Sequence, residues 1–167
     1  MCFYYGPHEL ENVNRKEYDI VNFNDMPEEP VIADVYYYRN QQKPRFVLNR
    51  ICGTVLDKDR TKHTVTLLTP DGVCDVKFYA GAFSYWDKQI SQIEADGTKK
   101  TLEKSWFSRG NKIMVTGFRR GEQWVAKKYK DSVYNHSVQL IIDIDEKGNL
   151  DLKTDRIEVD SANDVAV

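Results

Sequence analysis

Between Phe46 and Tyr79 the chain reads as three consecutive β-strands, and no other stretch constrains the fold as strongly. FVLNRICGTVLDKD (46–59) is rich in apolar and β-branched residues and carries Gly53 inside it, which predicts a bulge or a sharp bend. A polar loop, Asp57 to Lys62, leads into HTVTLLT (63–69). Pro70-Asp71-Gly72 is a tight turn by composition. VCDVKFY (73–79) then alternates, with Cys74, Val76 and Phe78 on one face and Val73, Asp75, Lys77 and Tyr79 on the other. The last two strands across Pro-Asp-Gly read as a hairpin.

After Tyr79 the period changes. Phe83, Trp86, Ile90 and Ile93 are spaced as one face of a helix that Asp96-Gly97 would end. A second short helix is predicted over 102–107, stopped by Gly110. Strand pattern returns at 111–121, turns at Arg120-Gly121-Glu122 and resumes at Gln123 to Lys127. A further strand, 137–144, turns at Lys147-Gly148-Asn149 into Leu150-Asp151-Leu152. The fold class predicted is mainly β: a five-stranded oligonucleotide/oligosaccharide-binding (OB) barrel with a helix between its third and fourth strands. An N-terminal extension and a C-terminal β-hairpin and tail complete it.

Residues 1–45 are polar and broken by Pro27-Glu28-Glu29-Pro30, a linker signal. They are read as a lead-in that packs on the barrel through its aromatics, with a short helix at His8 to Val13 and a strand at 31–38. The barrel domain is assigned to 46–157 and a flexible tail to 158–167. With 167 residues, one domain with tails is expected. No apolar run approaches the roughly 20 residues of a membrane helix, and the N-terminus carries no signal-peptide pattern. Cys2, Cys52 and Cys74 form an odd, unpatterned set, which argues for a reducing, cytoplasmic location. A monomer without membrane association is expected.

The formal net charge of −2 conceals an asymmetry. Residues 1–45 hold five basic and eight acidic side chains, net −3. Residues 46–130 hold sixteen basic and nine acidic, net +7, and 131–167 three basic and nine acidic, net −6. A basic block between acidic flanks points to a polyanion. Its cations are interleaved with aromatics where an OB barrel binds its ligand, on the second and third strands and the loops after strands one and four. Arg50, Lys77 and Tyr79 are predicted to face away from the core. Lys58, Arg60, Lys62 and His63 belong to the first loop. Phe118, Arg119 and Arg120 end the fourth strand, and Trp124, Lys127, Lys128 and Tyr129 follow. Trp124 fits a core position as well as a stacking platform. Cations on phosphates and rings on bases are how single-stranded DNA is held.

No catalytic constellation accompanies this face. His8, His63 and His136 lie in no metal-binding frame, no Cys-x-x-Cys suggests zinc, and neither a phosphate-binding loop nor a nucleophile elbow occurs. No cofactor is expected. Two other ligand classes fit a basic barrel: RNA, and an acidic peptide.

Several runs carry a family resemblance. Gly53 to Lys58, Lys62 to Thr69, Asp71-Gly72-Val73 and Val76 to Tyr79 resemble the C-terminal OB domain of the bacterial replicative DNA polymerase III alpha subunit. So do Phe83 to Ser91, Leu102 to Phe107, Val115 to Gly121 and Lys127-Lys128-Tyr129. Tyr4-Tyr5, His8-Glu9-Leu10 and Pro27 to Pro30 resemble the stretch leading into it. Thr66, within the second run, joins the candidate set. The resemblance implies a non-catalytic module that contacts template single-stranded DNA in replication. The parent would be a DNA-directed DNA polymerase, a nucleotidyltransferase whose metal-binding aspartates lie in an upstream palm domain outside this chain. It implies the rest of the alpha subunit as a partner, and replisome proteins such as the acidic tail of single-strand-binding protein as the alternative ligand.

Overall fold

The structure, a computed structural model, describes residues 10–157. The expected tail at 158–167, and Tyr4-Tyr5 and His8-Glu9 of the lead-in, lie outside those residues. In chain order the elements begin with α1 (Arg15–Tyr18), a 3-10 turn (Phe23–Asp25), β1 (Ile32–Tyr38) and β2 (Gln41–Phe46). Then come β3 (Asn49–Asp59), β4 (Thr64–Thr69), β5 (Gly72–Lys77) and α2 (Ala80–Asp87). After them follow β6 (Ile90–Ile93), β7 (Lys99–Glu103), β8 (Lys112–Arg120), β9 (Gln123–Ala126), β10 (Val138–Ile144) and β11 (Leu150–Lys153).

Five strands close into a barrel. β3 pairs with β4 and β4 with β5, both antiparallel; β5 pairs with β9 in parallel; β9 returns to β8 and β8 to β3, antiparallel. This is the strand order of an OB fold. Closure rests on the length of β3, whose first half pairs with β8 and whose second half pairs with β4, the handover falling at Thr54. The irregularity expected at Gly53 lies instead at Leu56, between Val55 and Asp57. Gly53 is required for a different reason: a Cβ there would stand 2.9 Å from Leu67 Cβ and 3.0 Å from the Leu68 carbonyl.

The inward residues of the five strands form one core with α2 capping its end. Ile51, Val55, Val65, Leu67, Val76, Ile113, Val115 and Trp124 fill the barrel. Phe83 and Trp86 of α2 meet Phe78, Phe107 and Trp106, with ring centroids 4.6–6.3 Å apart. The helix lies between the third and fourth barrel strands, as predicted, but it is shorter. It stops at Asp87, and Ile90–Ile93 leaves it as β6, paired with β7 around Asp96-Gly97. Ile90 is buried while Ile93 is exposed, so the two do not share one helical face. Residues 102–107 are not helical either. β7 runs to Glu103, and the Ser105 hydroxyl then accepts from the Phe107 amide (3.0 Å) in a turn that delivers Trp106 and Phe107 to the core.

A second apolar cluster lies on the outside of β3 and β8. Cys52 and Met114 point outward there, under Leu10, Val13, Ile20 and Ile141. Residues 19–21 run beside the start of β3 (Val21 amide to Arg50 carbonyl 2.8 Å), and β10 pairs with β8. One outer face of the barrel is therefore covered by residues 10–20 and 141–152, while the described residues leave the outer face of β4, β5 and β9 uncovered. Residues 10–13 form a turn instead of the expected short helix, and α1 begins at Arg15. Phe23 is buried, whereas Tyr36, Tyr37 and Tyr38 are exposed.

The C-terminal end is pinned by Arg156, which is buried. Its guanidinium donates to the carbonyls of Tyr85 (2.8 Å), Trp86 (2.9 Å), Lys88 (2.6 Å) and Lys104 (3.2 Å) and pairs with Glu103. Burial alone would raise the Glu103 carboxyl, but Lys153 and Arg156 outweigh it and hold the group below the ordinary glutamate range. Stability from this pairing is complete above the unfolded glutamate value of about 4.3 and is lost as pH falls through the lower native value. Chemical denaturation between pH 3 and 7 checks this: Glu103→Gln should be less stable at pH 7 and should flatten the acid limb. An acid limb as steep as wild type would contradict the assignment.

A second prediction follows from barrel closure. A Cβ at Gly117 would overlap the Val125 carbonyl oxygen, a backbone atom that cannot yield without parting β8 from β9. Gly117→Ala should cost roughly 2–3 kcal/mol or more in urea unfolding, and a cost within about 0.5 kcal/mol would refute it.

Candidate nucleic-acid interface

Barrel parity sorts the predicted site residues into two populations. On β8, Phe118 pairs with Val125, Arg119 with Trp124 and Arg120 with Gln123. Paired residues share a face. Trp124 is fully buried inside the barrel, its indole donating to the Val115 carbonyl (3.3 Å), so it offers no stacking surface. Arg119 shares its face and is only 9% exposed. It donates to the carbonyls of Gly121 (2.8 Å), Phe23 (3.2 Å) and Met26 (3.0 Å), with its guanidinium carbon 4.3 Å from the Phe23 ring centroid. Arg119 thus fastens the lead-in to the barrel. The expectation of an outward Arg119 fails because successive strand residues point to opposite faces, so Arg119 and Arg120 cannot both be outward.

Arg50 is likewise occupied. It faces outward on the covered side, bonds Thr116 Oγ1 (3.2 Å), the Tyr18 carbonyl (3.0 Å) and the Val133 carbonyl (2.5 Å), and lies over the Tyr134 ring. Lys58 and Arg60 converge on one carboxylate, Asp87, at 2.6 and 2.9 Å. Burial would raise that carboxyl, but hydrogen bonds from Lys58 and Ser105 and the charges of Lys58 and Arg60 keep it lowered. These groups line a depression of about 490 Å³ together with Lys88 and Lys104. Arg60 remains 71% exposed and keeps its outer donors available.

The remaining cations lie along the open face. In register across the sheet, Thr64 pairs with Lys77, Lys77 with Val125 and Val125 with Phe118. With strands roughly 4.8 Å apart, Lys77 and Phe118 are about 10 Å from each other along this row. Lys77 Nζ donates to the Lys62 carbonyl, tying the row to the β3–β4 loop. That loop is ordered by Asp59, which accepts from the amides of Lys62 (3.0 Å) and Thr61 (2.9 Å) and is lowered by them, Lys62 first. His63 closes the loop with φ 57° and turns its ring toward Phe83 (5.6 Å), so it is part of the corner's packing. Tyr79, at the N-cap of α2, is exposed.

At the other end of the row Phe118 is buried under Phe46 (4.7 Å), not open for stacking. Arg120 lies over both rings, 5.2 Å from Phe118 and 5.7 Å from Phe46. Lys127 follows Gln123 and Val125 in alternation and rests over Tyr129, whose hydroxyl accepts from the Phe46 amide (2.8 Å). Lys128 is exposed beside it. Thr66 lies one row away with its hydroxyl on Asp75 (2.8 Å). That row continues from Asp75 through Gln123 to Arg120, so the electrostatic path follows Lys62, Lys77 and Lys127 and is joined by Arg120 where its guanidinium leans over Phe118. Tyr129, which the sequence reading places beside Lys127 and Lys128, and Arg45, which it does not include, border this path. The Arg45 guanidinium over the Tyr129 ring, not residue type, reveals Arg45.

A mutational contrast separates the two populations. Arg119→Ala leaves three carbonyls short of a donor and should cost about 2 kcal/mol or more in denaturant unfolding. Lys77→Ala should stay within about 0.5 kcal/mol of wild type. Equal stability of the two variants would overturn the division.

Comparison with known proteins bears on this surface. No family model and no solved structure matches the chain. The chain is similar to the "Probable DNA polymerase YorL" of Bacillus subtilis (strain 168) and to the "DNA-directed DNA polymerase" of Bacillus phage SPbeta, 46% identical over 159 residues in each case. The match covers 95% of this chain and 12% of each relative, so the chain corresponds to a small part of proteins named as DNA polymerases.

Proposed function

We propose that this chain is a non-catalytic, single-stranded DNA-binding OB module of a replicative DNA polymerase of the bacterial polymerase III alpha type. The observation that carries the reading is the set of cations Lys62, Lys77, Lys127 and Arg120 around the Lys77–Val125–Phe118 row of the barrel. The similarity to two proteins named DNA polymerases supports a role in DNA replication. In this reading the template strand crosses β5, β9 and β8, its phosphates held by the four cations. Lys77, Arg120 and Lys127 form no ion pair with a carboxylate among the described residues, so each is available to a phosphate. The covered side of the barrel is occupied by residues 10–20 and 141–152. Metal-dependent nucleotidyl transfer belongs to other parts of the polymerase in this reading, and the bacterial cytoplasm is where it acts.

Titration of a labelled single-stranded oligonucleotide at two salt concentrations tests the proposal. Four phosphate contacts predict a weakening of roughly 50-fold between 50 and 200 mM salt, at about 0.7 counterions released per contact. Absence of binding at 50 mM, or binding indifferent to salt, would refute it. An acidic peptide that displaces the oligonucleotide would mark the same row as a protein-docking site as well.

A further inference from the structure

The lead-in contains a β-hairpin that the barrel does not need. Among the described residues β1 and β2 pair only with each other, from Ile32↔Phe46 to Tyr38↔Gln41, and every residue from Val31 to Arg45 is exposed. Its two-residue turn, Arg39-Asn40, has φ of 52° and 61°, the double left-handed geometry that suits the twist of a tight hairpin. A lone two-stranded hairpin is marginal in water, yet this one presents Tyr36, Tyr37 and Tyr38 at 39%, 76% and 55% exposure.

The chemistry of the hairpin is one-sided. In register, Tyr36 and Tyr38 share a face with Lys43, Gln41 and Arg45. Arg45 lies over the rings of Tyr36 (5.4 Å) and Tyr129 (5.6 Å), and Arg39 over Tyr38 (5.2 Å). Asp34, which contacts Arg45 at 3.7 Å, is the single carboxylate of residues 31–46, against three cations. The base of the hairpin is continuous with the barrel row: the Phe46 amide donates to Tyr129, and Arg120 covers Phe46. Pro44 interrupts the donors of the β2 edge, which disfavours addition of a protein strand there.

We propose that this hairpin is a nucleic-acid-binding arm, and that single-stranded DNA leaving the Lys77–Lys127 row stacks its bases on Tyr36 and Tyr38 while Arg39, Lys43 and Arg45 hold its phosphates. Exposed rings flanked by cations in excess of carboxylates are the recognition pattern for a single strand. The inference rests on the DNA-binding reading above and adds a second segment to it.

The test is fluorescence anisotropy with a fluorescein-labelled thymidine 20-mer on the full chain, at low salt, with thermal melting as a control. Tyr36→Ala with Tyr38→Ala should weaken binding about tenfold or more with the melting transition unchanged, since neither ring contributes to the barrel core. Tyr36→Phe with Tyr38→Phe should restore binding. Photocrosslinking of a bromodeoxyuridine oligonucleotide should label a peptide within 32–46. If the alanine pair binds as wild type while Lys62→Ala with Lys77→Ala binds weakly, the arm is refuted and the barrel reading stands. If the wild-type chain does not bind the 20-mer, both fall. Crosslinks confined to residues outside 32–46 would also refute the arm.

Discussion

The close approach of β8 and β9 across Gly117 sets the parity of the surface. With no Cβ at that position, the Val125 carbonyl comes against the β8 backbone, and the two strands pair from Gly117↔Ala126 to Arg120↔Gln123. That register sends Trp124 and Arg119 inward and leaves Val125, Arg120 and, further on, Lys127 outward. The parallel pairing of β5 with β9 then carries the same parity to Lys77. The basic row is thus a consequence of barrel closure: a slip of one residue would exchange its cations for buried side chains.

Charge in the central block acquires meaning only after this sorting. Its net +7 includes cations already engaged within the fold. Arg50 and Arg119 satisfy backbone carbonyls, and Lys58 shares Asp87 with Arg60. Their desolvation is offset by fixed partners, and removing one strands a buried group. Lys62, Arg120 and Lys127 have solvent or an aromatic ring beside them instead, and Lys77 holds the Lys62 carbonyl at the surface. In a chain similar to part of a DNA polymerase, these cations stand on an outer barrel face that the described residues do not cover.

Much of the barrel was legible in the sequence. Alternation in 73–79, the Pro-Asp-Gly turn and the change of period after Tyr79 identify β4, β5, α2 and their order. Two features misled. The spacing of Phe83, Trp86, Ile90 and Ile93 satisfies a helical period by coincidence, since two short segments of different geometry meet at Lys88. Gly53 suggested a bulge, although its role is to let β3 pass close to β4. The site was less legible. Residue type marks Arg119 and Trp124 as readily as Lys77, and only strand pairing tells inward from outward. The strand at 31–38 is legible and forms β1, but its hairpin partner β2 is not, because Gln41-Gln42-Lys43-Pro44 carries little strand propensity and the turn, Arg39-Asn40, lacks glycine.

The central claim is that single-stranded DNA crosses the open face along the Lys77–Val125–Phe118 row. Amide chemical-shift mapping of the isotopically labelled chain during titration with an oligonucleotide tests it most directly. The account predicts shifts concentrated at Lys62, Lys77, Val125, Lys127 and Arg120, with Cys52, Met114 and Ile141 on the covered face unmoved. Shifts centred on the covered face, or spread evenly around the barrel, would contradict it.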